Sequence, residues 1–287
     1  MGIFSGLMAS GRNWTTGRVE TPPVSTGYDE TVEGSSAFGN LIVWAKLGGS
    51  PIVDTQGNIA NGTETNIGFV SSEMPDVGDI AADFDGSTSN ISWVDDVDLH
   101  LAELAIHIAV DIVTMPDIGA FRQILTKEGS GLVDQDFVLG LFNSAGAHEI
   151  RFQIVQTSSV IRLIAPITLG KHWITVNLGN AVNMEMFVDA TSLSTAAYTG
   201  GIDANTNGMV IGAADFGAGP VEFFSGQLKH LQIYNRRLTS GEIAVLSPSL
   251  PEREPPPPPP PPPNPQNLTS MAPANLTDMA NAVLTDY

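Results

Sequence analysis

The chain contains no cysteine, which excludes disulfide staples, thiol nucleophiles and zinc–thiolate centres. Positive charge is scarce. Against 31 Asp and Glu stand only 12 Lys and Arg, for a net charge of −19. No Lys/Arg cluster offers a footprint for a phosphate backbone, which argues against a nucleic-acid partner and against docking on an anionic membrane. No apolar run approaches the length of a membrane-spanning helix, so no membrane insertion is expected. The opening MGIFSGLMASGRNWTT lacks a basic segment followed by a sustained apolar stretch, so a secretory signal is not expected. Gly6 stands where a myristoylation signal needs Ser or Thr. There is no G-x-S-x-G elbow, phosphate-binding loop or dinucleotide fingerprint.

What the sequence does have is apolar alternation. Hydrophobic residues make up 42% of the 287 residues and include twelve Phe, enough for a substantial core. From about residue 38 to 247, short alternating runs separated by turn residues recur. In LAIHIAVDIVT (104–114), Leu104, Ile106, Ile108, Val110 and Ile112 share one face. That pattern predicts an antiparallel β-sandwich of jelly-roll type. Asp85-Gly86, between two such runs, predicts a hairpin-type turn. The last run, SGQLKHLQIYN, leads into LTSGEIAVL, where Thr239 and Glu242 have capping-box spacing and Ile243 and Leu246 share one helical face.

The flanks differ in composition. Residues 1–37 are rich in Gly, Ser and Thr without periodicity and read as an extended attachment arm. Pro255–Pro263, within a 248–266 spacer, must adopt polyproline II, a stiff strut of roughly 28 Å. Residues 267–287 hold an eight-residue tandem, NLTSMAPA and NLTDMANA. In the second copy Leu276, Met279, Val283 and Leu284 fall at helical spacing, as in a docking or oligomerisation peptide.

Several of these segments resemble the laminin-G-like, concanavalin A-like lectin/glucanase family. The closing segment VEFFSGQLKHLQIYNRRLTSGEIAVL (221–246) matches the family's end. The loop with Asp54, Gly57, Asn58, Gly62 and Thr63 matches an early turn, and Ala82, Phe84, Asp85, Gly86 and Ile91 match the strand and turn after it. KHWITVNL with Trp173, and MEMFVDA with Phe187, match two further strands, although Ala190 stands where the family carries Gly. The resemblance spans about 210 residues and implies the same sandwich, with sugar binding, calcium on edge loops, or glycoside hydrolysis as the activities of relatives.

For hydrolysis, two or three carboxylates should line one strand facing a cleft. The sequence offers only Glu185 and Asp189, four apart, and Asp189 falls at a turn. The expectation is therefore that the chain is not an enzyme. The five histidines lack metal-ligand spacing and read as solvent-face residues. Calcium prefers clustered carboxylate, amide and carbonyl oxygens. The candidate loops carry Asp54 and Asn58; Asp95, Asp96 and Asp98; Asp134 and Asp136; and Asp203, Asn205 and Asn207, although Asp and Asn are also ordinary turn residues. Phe142 with Asn143, and Asp215 with Phe216, are candidate sugar contacts, an aromatic platform beside a polar group. Trp44, Trp93 and Trp173 read as core.

An anchor arm, a display domain, a stiff spacer and a contact peptide together suggest a virion protein. The expectation is a phage-like fibre, spike or decoration subunit that presents a lectin-like domain to host-surface polysaccharide. It would be homo-oligomeric and held to other particle proteins through both termini. The alternatives are a purely structural cement protein, or a bacterial surface adhesin or accessory module of a carbohydrate-active enzyme.

Overall fold

The computed structural model of the chain describes residues 27–74, 79–101, 103–127, 137–156, 159–179, 183–198, 207–215 and 219–250. Contacts divide the chain into Met1–Glu252 and Arg253–Tyr287, and every described residue belongs to the first unit. The proline strut, the tandem tail and the arm before Gly27 lie outside the described residues.

In chain order the first strands are β1 (Leu41–Ala45), β2 (Thr63–Thr65), β3 (Gly68–Ser72), β4 (Asp79–Asp85), β5 (Asn90–Trp93) and β6 (Leu104–Ile112). Next come β7 (Phe121–Lys127), β8 (Phe137–Ser144), β9 (Ala147–Gln156), β10 (Ser159–Pro166), β11 (Gly170–Leu178) and β12 (Met184–Val188). The series ends with β13 (Thr191–Ala196), β14 (Met209–Ile211), β15 (Ala214–Asp215), β16 (Pro220–Val221) and β17 (Ser225–Tyr234). Two helices flank them, α1 (Gly27–Gly34) and α2 (Ser240–Leu246).

Apart from β15 and β16, which pair only with each other, the strands form two antiparallel sheets. The larger, of eight strands, runs β13-β12-β11-β6-β17-β4-β3 with β1 also on β17; the smaller, of seven, runs β10-β9-β8-β7-β14-β5-β2. Alternation along β6 sends Leu104, Ile106, Ile108, Val110 and Ile112 into the space between the sheets. There they join Ile174 and Val176 of β11 and meet Leu125, Leu139, Leu141, Ile150 and Phe152 of the facing sheet. Each such side chain contributes about 1.5–3 kcal/mol by leaving water. The result is the antiparallel sandwich that the alternation predicts.

The Asp85-Gly86 turn is not a hairpin. β4 pairs with β3 and β17 of the larger sheet, whereas β5 pairs with β2 and β14 of the smaller, so the turn is a corner between sheets. Asp85 builds it by accepting from the backbone N–H groups of Ser87, Thr88 and Ser89 and from the Thr88 hydroxyl. Burial would raise the Asp85 pKa, but these hydrogen bonds outweigh it and hold the carboxyl far below the usual carboxylate range.

The larger sheet is also covered on its outer face, by a second apolar cluster. Trp44, Ala105, Ala109, Trp173, Phe187 and Tyr234 of the strands pack against Tyr28 and Val32 of α1 and Ile243 and Leu246 of α2. This changes two expectations. Residues 27–34, placed by sequence in an extended arm, form a helix whose i, i+4 pair Tyr28 and Val32 is buried on the sheet. His107 and His230 are not solvent-face residues, being 0% and 1% exposed. Alternation does put His107 opposite Ile106 and Ile108, but that face is roofed. The rings interleave: His107 stacks on Trp173 at 4.7 Å, Trp173 on Tyr28 at 5.0 Å, and Tyr28 lies 4.6 Å from His230.

α2 is capped reciprocally. Thr239 Oγ1 accepts from the Glu242 N–H, and the Glu242 carboxylate accepts from the Thr239 N–H. Arg236 forks onto both oxygens of the same carboxylate at 2.9 and 2.6 Å, and Ser36 adds a bond from the segment after α1. The Arg236 bond is the largest influence on the Glu242 pKa and, with the cap, holds it well below normal against the effect of burial.

Candidate functional site

At one end of the smaller sheet, alternation sets the character of the outer surface. In β5, Ile91 and Trp93 point into the core, so Asn90 and Ser92 point outward. Thr65 of β2 pairs with Asn90, and Val210 of β14 pairs with Ser92, which extends the outward row across three strands. Thr88 of the Asp85 corner forms one wall. Backbone folding over the sheet forms the other.

That overhang starts at Gly212, which has φ +81°, donates its N–H to Ile124 and accepts from Phe224. A methyl group at Gly212 would overlap the Phe84 ring, so glycine is required both for conformation and for space. β15 and β16 then pair with each other, Ala214 with Val221 and Asp215 with Pro220. Glu222, at φ +54°, accepts the Gln123 N–H at 2.8 Å and takes the Gln123 amide on its carboxylate at 2.7 Å. These ties hold Phe223 against the sheet face.

Between the sheet and this overhang lies a cavity of about 490 Å³ lined by Thr65, Asn66, Thr88, Asn90, Ser92, Val210, Asp215, Pro220 and Phe223. Five of the nine lining residues carry a hydroxyl or amide, beside one half-buried carboxylate and one half-buried phenyl ring, and most of the exposed lining is apolar. Chemically, such a lining can exchange hydrogen bonds with a hydroxyl-rich ligand while the ring covers its C–H face.

Of the residues singled out from sequence, Asp215 lines this cavity, and Phe216 lies outside the described residues. Phe142 sits elsewhere on the same outer face, in β8. The Arg151 guanidinium lies 3.5 Å above its ring, Phe121 packs beside it at 4.6 Å, and Arg151 pairs with Glu149 at 2.6 Å. Asn143 is occupied within the fold: its amide donates to the Pro116 carbonyl, and its carbonyl accepts from Gly146 across the β8–β9 turn.

The early calcium candidates make hydrogen bonds within their own loops and to β1. Asp54 accepts four backbone N–H groups, those of Trp44, Gln56, Asn58 and Ile59, while Asn58 donates to the Ile42 carbonyl. Asp96 caps a short 3₁₀ turn through the Asp98 N–H, and Asp95 pairs with His100 and with the buried Lys127. Asp134, Asp136, Asp203 and Asn205 lie outside the described residues. Among the described residues no group of three or more His, Asp or Glu is placed to hold a metal ion, and no helix is long and apolar enough to cross a membrane. On β12, Glu185 binds the Ser192 hydroxyl and Arg237, and the turn residue Asp189 binds the Trp173 N–H and His172, so both are engaged structurally.

Sequence reasoning missed Thr65, Asn66, Thr88, Asn90, Ser92 and Phe223. One signal was available. A strand with two large apolar residues inward and Asn and Ser outward has a polar outer surface, and the GSTSN run before it supplies further hydroxyls. That Phe223 faces the same surface depends on the chain reversal at Gly212, which no local pattern reports.

Residues 113–244 match the Laminin_G_3 family model, described as the concanavalin A-like lectin/glucanases superfamily. No curated protein matches the chain by sequence. Among solved structures, the chain is similar to the binding domain of Paraclostridial Mosquitocidal Protein 1, with 14% identity and a TM-score of 0.59 over 72% of this chain and 52% of that one. It is also similar to domain 4 of AbnA, an extracellular arabinanase of Geobacillus stearothermophilus solved with arabinotriose, with 15% identity and a TM-score of 0.56 over 72% of this chain and 98% of that domain. A third is the binding domain of botulinum neurotoxin DC in complex with SialylT, with 11% identity and a TM-score of 0.56 over 72% of this chain. The chain spans about half the length of the two toxin binding domains and nearly all of the arabinanase domain. The fold is thus that of a lectin-like sandwich.

Proposed function

We propose that this chain is a non-enzymatic glycan-binding module carried on a virion surface, as a fibre, spike or decoration subunit that contacts host-surface polysaccharide. The observation that carries the binding reading is the cavity over β2, β5 and β14, where Asn90, Ser92, Thr65 and Asp215 face Phe223 across a space of about 490 Å³. A ligand-sized pocket typically measures about 300–1,000 Å³. The likeness to an arabinanase domain solved with arabinotriose supports the same reading.

The particle setting is supported by sequence layout. Beyond the sandwich come a run of nine prolines, suited to hold a domain off a surface, and a tandem peptide suited to bundling. The acidic surface keeps such a display domain soluble.

The test is binding of the full chain to a panel of envelope polysaccharides, with calcium and with chelator, beside a Phe223→Ala variant. Saturable binding weakened at least tenfold by Phe223→Ala supports the module and its site, and loss in chelator would add calcium. No saturation at millimolar sugar by a chain that still decorates particles would leave a structural cement instead.

A further inference from the structure

We infer that Asp85 is a positioning residue for the cavity: through Thr88 it fixes the sense of the Asn90 amide, so that Asn90 offers its Oδ1 to a ligand hydroxyl. This rests on the glycan-binding reading above and adds to that site a residue outside its lining. Asp85 ends β4 at the corner, whereas Thr88 and Asn90 both line the cavity.

A chain of hydrogen bonds joins the three residues. A carboxylate can only accept, so Thr88 gives Asp85 both its N–H and its hydroxyl hydrogen, at 2.8 and 2.6 Å. The N–H groups of Ser87 and Ser89 add two further bonds to the same carboxylate, at 2.8 and 3.0 Å. The corner is also tightly packed. A methyl group on Gly86, at φ +76°, would come within 2.9 Å of Ser225 Cβ and Arg122 Nη1. Arg122 donates to Thr114 Oγ1 at 3.3 Å and does not line the cavity. So held, the Thr88 carbonyl accepts from Asn90 Nδ2 at 3.2 Å.

A carbonyl cannot donate, so this last bond tells the two ends of the Asn90 side chain apart. Nδ2 is turned to Thr88 and Oδ1 away from it, and among the described residues nothing donates to that oxygen. Asn90 is only 5% exposed, so a ligand seated in the cavity must either satisfy this acceptor or leave it dry. The terminal torsion of an amide side chain is broad and roughly two-fold. An Asn90 released from Thr88 would therefore present either end, and a ligand hydroxyl would lose a fixed acceptor.

Calorimetric titration of the full chain with arabinotriose, cellotriose and mannotriose tests this, using wild type, Asp85→Ala, Asn90→Ala and the double variant. For the tightest of the three sugars, Asp85→Ala should weaken binding about threefold or more, and Asn90→Ala about fivefold or more. The double variant should bind within about twofold of Asn90→Ala alone, because Asp85 acts through the amide already removed. Urea denaturation shows which variants are folded under the titration conditions. Should Asp85→Ala not fold, Asp85→Ser takes its place in the same cycle, since a Ser hydroxyl still accepts a turn N–H. A folded Asp85 variant that binds like wild type overturns the inference and leaves Asp85 a purely stabilising residue. Losses that multiply in the double variant overturn it too, because Asp85 would then act by a route other than Asn90. Failure of all three sugars to saturate at millimolar concentration overturns the glycan-binding reading itself, and the inference with it.

Discussion

Tyr28 and His107 share one acceptor: the Tyr28 hydroxyl and the His107 Nε2–H both donate to the carbonyl of Leu246, each at 3.0 Å. The carbonyl can only accept, so His107 Nε2 carries the hydrogen, and Nδ1 of the neutral ring accepts from Thr175 Oγ1 at 2.7 Å. Leu246 is the last residue of α2, so one exposed-end carbonyl of that helix is satisfied by α1 and by the sheet beneath both. Tyr28→Phe removes one of these donors and keeps the ring stacked on Trp173. It should cost about 1–3 kcal/mol: His107 still satisfies the carbonyl, but the buried Gln232 amide loses the Tyr28 hydroxyl as its acceptor. Tyr28→Ala should cost about 3–5 kcal/mol, since the buried ring goes too. Urea midpoints of the two variants measure the difference; equal losses would mean that the helix does not hold the sheet as described.

Acid should loosen this roof before it affects the rest of the fold. Burial pushes His107 down to about 4, with the Leu246 hydrogen bond opposing, and burial with nearby Lys229 and Lys46 pushes His230 down as well. Both are neutral when folded, whereas the unfolded chain takes up protons near pH 6.5. Their stabilisation is therefore complete above about pH 6.5 and is lost as pH falls from there toward 4, at up to about 1.4 kcal/mol per pH unit for each histidine. Glu242 and Asp85, whose carboxyls are held low, give way only in stronger acid. Denaturation at pH 7, 6 and 5 should show this slope, and His107→Gln should reduce it by about half. A flat profile over that range would contradict the burial of neutral imidazoles.

Much of this was legible in the sequence. Alternation in β6, β9 and β11 gave the sandwich because one face of each strand fills the space between the sheets, and the Thr239–Glu242 spacing matches the observed cap on α2. What failed was anything that depends on a third layer. His107 and His230 sit beside inward apolar neighbours as outer-face residues should, and nothing local distinguishes a face open to water from one roofed by a helix distant in sequence, as Leu246 roofs His107 and Tyr28 covers His230. Of the candidate site only Asp215 was readable, for a related reason. Asp215 could be named from its type and loop setting, while Asn90 and Ser92 acquire a ligand-facing role only when the chain folds back over them.

The turn between β12 and β13 holds a stabilising substitution. Val188 pairs with Thr191, leaving Asp189 and Ala190 as a two-residue turn with φ of +50° and +60°. Both values are positive, as in a type I′ hairpin, whose second position favours Gly. Ala190 bears a cost of about 1–2 kcal/mol in that conformation. Gly would relieve it, less about 0.5–1 kcal/mol for the added freedom of the unfolded chain. Ala190→Gly should thus stabilise by roughly 0.5–1 kcal/mol. A lower thermal midpoint in the variant would show that the contact of the Ala190 methyl with the outer cluster outweighs the strain.

Two glycines separate conformational strain from crowding at the cavity. Gly212 precedes β15 and Gly219 precedes β16, with φ of +81° and +102°. A methyl group on Gly219 would meet open space, whereas one on Gly212 would overlap the Phe84 ring, which packs edge-on against Phe224 at 6.0 Å. Gly219→Ala should cost only the backbone term, about 1–2 kcal/mol. Gly212→Ala adds overpacking of about 1–3 kcal/mol. It should also displace the overhang, because Gly212 accepts from Phe224 immediately after Phe223. Chemical denaturation should therefore rank Gly212→Ala below Gly219→Ala, and the ring-current shift of the Phe223 region should change only in the former. Equal destabilisation of the two would mean that Phe84 gives way freely, and the positioning of Asp215 and Phe223 over the sheet would then have to come from the Gln123–Glu222 ties alone.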